Sequence, residues 1–339
     1  MDTNCSAMVE LSTSDFLIIS LTINLFVSII ACPIIVWASY KLWIGRYNTL
    51  FNKNMKVIVQ THLAGFGIHC FGRIILHLLD LHNYSLPDPC DMVPNIYRCF
   101  IFRLMYNSGM WITGCTAFSL IFERFLATIR RNSYENSSIL AGVILAILQC
   151  LIAAVPLYFV YSGTHFTNVY MPYCSVIKTE HPEIAKINST ILILAQFVAR
   201  ILFSVIFYLN SNFRVKMMQS TLSTKYQIEQ NKNSTQCLKL FANISTVVVL
   251  GNHSLFLLLL DYAKNIPYTH YLAYMEFNNV FPIYAIISVF LMVWKIKSFK
   301  IKIASEIVTS IQLSPNLYRV RLREQIGAVS TECVSYSRP

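Results

Sequence analysis

Cys99–Phe122 reads CFIFRLMYNSGMWITGCTAFSLIF and is followed at once by Glu123-Arg124. A single charge, Arg103, interrupts a run long enough to cross a bilayer. Crossing takes about 20 mostly apolar residues, because a backbone in lipid must satisfy its own hydrogen bonds. As one helix rising about 1.5 Å per residue, the distance from Cys99 to Arg124 is about 37 Å. The stretch therefore has a cysteine at one mouth and an acid–arginine pair at the other. Charged residues commonly end apolar helices, and arginine snorkels to headgroups. The meaning of the pair depends on the rest of the chain.

Six further runs match this one: Phe16–Ala38, Val57–Leu79, Ile139–Tyr161, Thr190–Leu209, Leu240–Leu260 and Leu272–Trp294. The first, fourth and sixth spans in chain order carry no charged residue. The second, Val57–Leu79, is the weakest by hydropathy because it holds Arg73 and three histidines. Omitting it would put two basic segments on opposite sides of the membrane. Over the whole chain 55% of residues are hydrophobic and 13% are charged, about half the charged share of a soluble domain. The reading is an all-α membrane protein with a seven-helix bundle. Its expected parts are an extracellular segment 1–15, a seven-span domain 16–294 and a cytoplasmic tail 295–339.

Lysines and arginines set the direction. The connections 39–56, 123–138 and 210–239, with the tail 295–339, hold 20 of the 27 basic residues. The opposite connections hold only Arg98, Lys178, Lys186 and Lys264. This asymmetry predicts an outer N-terminus and a cytoplasmic C-terminus. The first fifteen residues lack the basic region of a cleavable signal, so the first span is expected to act as a signal anchor. The net charge of +11 does not indicate nucleic acid, because the basic residues flank apolar spans and form no basic domain.

Four cysteines fall on the predicted outside, where disulfides form: Cys5, Cys90, Cys99 and Cys174. They allow three pairings, which spacing alone does not resolve. Asn4 and Asn83 head glycosylation sequons on the same side. The sequon at Asn188 is also on that side, but close to the bilayer.

In the second span His62, His69, Arg73, His77 and Asp80 project into an arc of about 80° at about 100° per residue. Ionisable residues in a span face the bundle interior, where they form a structural network or mark a ligand path. Arg73, His77 and Asp80 lie in its outer half and are candidates for the wall of an outward-opening pocket. Arg103 of the third span and Glu276 of the seventh lie at similar depth, so an Arg103–Glu276 or an Arg103–Asp80 pair is open. Arg200, mid-way down the fifth span, is too deep to join them and is expected to reach a carbonyl or line a cavity. Most of the aromatics suit lipid-facing or interfacial positions. Tyr106, Trp111, Phe277 and Phe281 are candidates to line a cavity.

The connection Leu222–Asn231 contains no Pro or Gly and is expected to extend the fifth span as a helix. After the seventh span, Ile296, Phe299, Ile303, Ile307 and Ile311 recur at helical spacing between lysines. That pattern suits an amphipathic helix on the inner leaflet, with its basic residues favouring anionic lipid.

A helix with a cysteine at its outer mouth, an acid–arginine pair at its inner mouth and Cys174 in the next outer loop resembles the third helix of G-protein-coupled receptors. The resemblance narrows at Asp88-Pro89-Cys90-Asp91-Met92, Asn95-Ile96-Tyr97-Arg98-Cys99-Phe100, Glu123-Arg124-Phe125-Leu126-Ala127-Thr128 and Leu222-Ser223 through Tyr226-Gln227 and Glu229. His69-Cys70-Phe71-Gly72-Arg73 also fits. With these the chain resembles the nematode serpentine chemoreceptors of class alpha/beta and the related class alpha, from the first span to the seventh. The resemblance implies a rhodopsin-like bundle in the plasma membrane of sensory neurons. It also implies a small-molecule ligand, signalling to a heterotrimeric G protein through Glu123 and Arg124, and a Cys99–Cys174 disulfide. The chain departs from typical rhodopsin-like receptors in having Asn278-Asn279 and Pro282-Ile283-Tyr284 in span seven, and neither Trp nor Pro in span six. The wider activation machinery does not carry over to those helices.

No catalytic constellation is present, and no cofactor or metal is expected. The histidines of span two lack the clustered Cys or carboxylate set that zinc needs. The competing class is a seven-helix channel or transporter. A transporter would show internal repeats and helices broken in matching positions, and none is evident. Insect-type odorant channels have an inner N-terminus, the reverse of the charge reading.

Overall fold

The computed structural model describes residues 3–44, 51–130, 138–162, 173–174, 182–216 and 222–313, without side chains for 3–4, 213–216, 222–231, 299–300 and 302–313. All regular structure among them is helical. The elements are α1 (Thr3–Ser12), α2 (Asp15–Trp43), α3 (Lys53–Tyr84), α4 (Ile96–Ile129), α5 (Leu140–Tyr161), α6 (Glu183–Lys216), α7 (Leu222–Tyr262), α8 (Tyr268–Asn278) and α9 (Phe281–Leu313). Among the described residues, seven stretches are long and apolar enough to cross a membrane; six contain an expected span, and the fourth, Leu140–Tyr161, falls one residue short of Ile139–Tyr161. Met1–Met292 forms one compact unit and Val293–Pro339 another. Everything below concerns the first unit unless stated.

Helix starts are set by side chains that accept orphan amides of the first turn. Ser14 caps α2 through the Leu17 amide, Asn52 caps α3 through Met55, and Asn95 caps α4 through Tyr97. Asp15 adds a negative charge to the first turn of α2, where the helix dipole favours it.

α3 and α4 are the interior helices. In their most apolar windows 56% of residues are buried, against 28% for α2 and 22% for α5. This accounts for the weak hydropathy of the second span: a helix buried by its neighbours need not offer an apolar face to lipid. α2 and α5 instead turn Ile19, Phe26, Ile147 and Leu151 outward. The backbones of α3 and α4 meet closely at Gly109, where a Cβ would stand 2.3 Å from the carbonyl oxygen of Gly65. Small residues allow such an approach between membrane helices.

Three features depart from expectation. Residues 1–15 hold a helix, α1, whose Met8 and Leu11 are fully buried against Leu17, Leu21, Met92 and Tyr271. The seventh span is two helices, with Asn279 and Val280 between them. Pro282 explains the break, since it has no amide hydrogen for the Asn278 carbonyl and its ring crowds that group. Residues 222–231 begin α7, so they extend the sixth span rather than the fifth. Ile296 through Ile311 are helical within α9, but side chains from residue 302 on lie outside the described residues, as does the side chain of Phe299.

Two disulfides, Cys5–Cys90 and Cys99–Cys174, close the end of the bundle opposite Arg124. The first ties α1 to the α3–α4 connection. The second holds Cys174 against the start of α4.

Candidate functional site

Breaking α8 from α9 frees backbone carbonyls inside the bundle, where an unsatisfied polar group is costly. Arg73 of α3 answers them. Its Nη1 donates to the Asn279 carbonyl at 2.7 Å and its Nη2 to the Glu276 carbonyl at 3.1 Å. Asn24 of α2 also donates to the Glu276 carbonyl, at 2.9 Å.

The Glu276 side chain lies at the centre of a buried polar cluster. Its Oε1 meets Arg103 Nη2 at 2.8 Å and the Tyr173 hydroxyl at 2.6 Å. Its Oε2 meets Arg73 Nη2 at 3.2 Å and His77 Nε2 at 3.6 Å. Arg73 Nε donates to His77 Nε2 at 3.0 Å. Arg103 Nε donates to the Cys174 carbonyl at 2.6 Å, so the disulfide-held loop residue is also gripped by α4. Tyr173 sits in the same loop. Burial pushes its phenol well above the usual range, so it stays a donor to Glu276 while accepting from Arg103. Of the two pairings left open, Arg103 takes Glu276, and Asp80 pairs with Arg98 at 3.3 Å.

Beside this cluster lies a cavity of about 160 Å³. Arg103, Tyr106, Asn107 and Trp111 of α4 line it, with Leu157 of α5, Ser189 of α6, His253 and Phe256 of α7, and Tyr271 and Glu276 of α8. The expected pocket residues therefore divide. Arg103 and Glu276 face the cavity. Arg73, His77 and Asp80 do not line it, which corrects their assignment to its wall. Arg73 and His77 are fully buried behind Glu276 because the carbonyls of the broken helix occupy the guanidinium. Of the aromatic candidates, Tyr106 and Trp111 line the cavity, Phe277 stacks on Phe16 outside it, and Phe281 lines a smaller void. Arg200 reaches Ser204 Oγ at 3.0 Å on its own helix rather than a carbonyl.

At the other end of α4, Glu123 and Arg124 are both buried. Arg124 is clasped by the neighbouring carboxylate, with its Nη2 2.6 Å from Glu123 Oε1. Its Nη1 donates to Ser234 Oγ of α7 at 2.5 Å. One turn on, Thr128 donates to Asn210 Oδ1 of α6 at 3.1 Å, and Asn210 reaches Thr235 of α7 at 3.5 Å. These side chains latch α4, α6 and α7 together. Ser234, Asn210 and Thr235 carry no signal in sequence beyond being small polar residues near span ends. Tyr173 likewise has only its adjacency to Cys174.

The Asn83 side chain is hydrogen-bonded on both sides. Its Nδ2 donates to the Met92 carbonyl at 3.0 Å and its Oδ1 accepts from Arg98 at 3.3 Å. The Asn4 side chain lies outside the described residues. Asn188 donates to the Pro156 carbonyl and lines the cavity.

Seven candidate spans, Cys174 tied to the start of α4 and a buried acid–arginine pair at the far end of the third span fit a multi-pass membrane protein. The chain belongs to the serpentine type 7TM GPCR receptor class ab chemoreceptor family, whose pattern it matches over residues 2–327. It is similar to serpentine receptor class alpha-28 of Caenorhabditis elegans, at 28% identity over 47% of this chain and 48% of that one. It is also similar to serpentine receptor class beta-15 of the same nematode, at 26% identity over 73% and 72% of the two chains. Serpentine receptor class alpha/beta-14, also of Caenorhabditis elegans, is 26% identical over 64% and 57%. The chain thus spans about half the length of the first of these relatives and more of the others.

Proposed function

We propose that this chain is a chemosensory receptor of the plasma membrane of sensory neurons. It binds a small molecule in the cavity beside Arg103 and Glu276 and signals to a heterotrimeric G protein at the Arg124 end. The N-terminus is outside and the C-terminus cytoplasmic, as the lysine and arginine asymmetry favours. The observation that carries the reading is that α4 and α7 each serve both sites. α4 contributes Arg103 and Trp111 to the cavity and Arg124 to the latch. α7 contributes His253 and Phe256 to the cavity and Ser234 to the latch. A ligand that shifts either helix changes the geometry in which Arg124 is held, and such a two-state element is what a signalling switch requires. Family membership supports the same class of activity.

The test is guanine-nucleotide exchange on purified heterotrimeric G proteins by the receptor in lipid nanodiscs, with a surface epitope assay for topology. Exchange above the receptor-free rate, lost in Arg124→Ala at equal folded protein, supports the reading. Equal exchange by wild type and Arg124→Ala sinks it. An N-terminal epitope detected only after cells are permeabilised refutes the orientation. Ligand-gated current that persists without G proteins identifies a channel instead.

A further inference from the structure

The charges around the cavity do not balance. Asp80 pairs with Arg98 at 3.3 Å, the carboxylate buried and the guanidinium partly exposed. Beside them lie Arg73, Arg103 and the carboxylate of Glu276, which divides its oxygens between the two arginines. The guanidinium groups are always protonated, so three arginines face two carboxylates and the set carries one excess positive charge. Such a charge is costly unless it is compensated. Arg73 is fully buried, with donors committed to two carbonyls, Glu276 and His77, so it cannot take up a counterion. Arg103 can. It lines the cavity, its Nε and Nη2 are bound to Cys174, Tyr173 and Glu276, and its Nη1 has no hydrogen-bond partner among the described residues. The rest of the wall near it is largely apolar, with Trp111, Leu157, Phe256 and Tyr271.

We infer that the cavity takes a small organic monoanion, a carboxylate head on a compact apolar body, with the head on Arg103 Nη1 and the body against Trp111 and Phe256. This rests on the reading of the cavity as the ligand site and specifies its ligand class. The volume limits the size, since an apolar cavity of about 150 Å³ accommodates benzene and the 160 Å³ here is of the same order. A carboxylate also suits a guanidinium by geometry, because the fork of N–H donors matches two oxygens. One negative charge neutralises the set, whereas a dianion would overcompensate it.

The probes are three molecules of one shape, benzoate, benzyl alcohol and benzylamine, titrated against the wild-type receptor in neutral nanodiscs by thermal shift. The expected result is stabilisation by benzoate at concentrations at least about tenfold below those needed for benzyl alcohol, with no stabilisation by benzylamine. Hexanoate, hexanol and hexylamine repeat the order with an aliphatic body. The double variant Arg103→Gln/Glu276→Gln removes both cavity-facing charges and is expected to bind benzoate and benzyl alcohol within about threefold of each other. Equal or stronger binding of the alcohol or the amine by wild type overturns the inference and leaves the receptor reading standing. Absence of any shift with both acids overturns it as well. The receptor reading itself is judged separately, by exchange at the Arg124 end, which needs none of these probes. The wild-type series decides the matter even if the double variant does not fold.

Discussion

Arg73 Nη1 lies 2.7 Å from the carbonyl oxygen of Asn279, across the break that separates α8 from α9. An arginine in a membrane span here serves the backbone of another helix. Replacing it with Met leaves the Asn279 carbonyl without this donor and removes one partner of Glu276. Breaking a buried pair in this way costs about 3–5 kcal/mol, read as a lower melting temperature of the purified receptor. Adding Pro282→Ala supplies an amide hydrogen and removes the ring at the break, and is expected to recover part of the loss. Strictly additive effects of the two substitutions would show that Arg73 and the break are independent.

That relationship also marks the limit of what the sequence conveyed. The polar arc of span two was legible, because a one-sided arrangement of His69, Arg73, His77 and Asp80 can face only the interior. What Arg73 binds was not legible, because its partners are backbone carbonyls exposed by a proline more than two hundred residues away. Arg103 and Glu276 were placed at one depth by counting along their spans. The choice between Glu276 and Asp80 depended on Arg98 taking Asp80, which is a matter of packing. α1 escaped notice because a short helix held by Cys5 and two buried side chains, Met8 and Leu11, has no span-length pattern. The latch residues Ser234 and Asn210 escaped because a hydroxyl or an amide near a span end reads as ordinary interfacial polarity.

The α3–α4 approach gives a paired test. Gly109→Ala places a methyl against the backbone of Gly65 and His69, neither of which can swing aside, and is expected to lose about 1–3 kcal/mol or more. Gly67→Ala on the same helix pair meets nothing within 4 Å and is expected to gain up to about 1 kcal/mol through helix propensity. Thermal unfolding of both variants in the same detergent checks this. Similar melting temperatures for the two would contradict the close approach.

Peptide mapping without reduction should recover Cys5 joined to Cys90 and Cys99 joined to Cys174. Cys99→Ser with Cys174→Ser is expected to cost about 2–5 kcal/mol. It should also loosen Arg103, which holds the Cys174 carbonyl. A map that crosses the four partners would contradict the arrangement of α1 over the α3–α4 connection.

Ser234 and Arg124 offer the sharpest measurement. Ser234→Ala removes a hydrogen bond to a charged group, worth about 1.5–3 kcal/mol, from the form in which Arg124 is clasped. A receptor switched at this residue responds with basal guanine-nucleotide exchange raised roughly tenfold, while Arg124→Ala abolishes exchange when compared at equal folded protein. Exchange rates for wild type, Ser234→Ala and Arg124→Ala, measured side by side in nanodiscs with one heterotrimeric G protein, test the whole reading. The predicted order is Ser234→Ala highest, wild type next and Arg124→Ala at the receptor-free rate. Three indistinguishable rates, or exchange that survives Arg124→Ala, would contradict it.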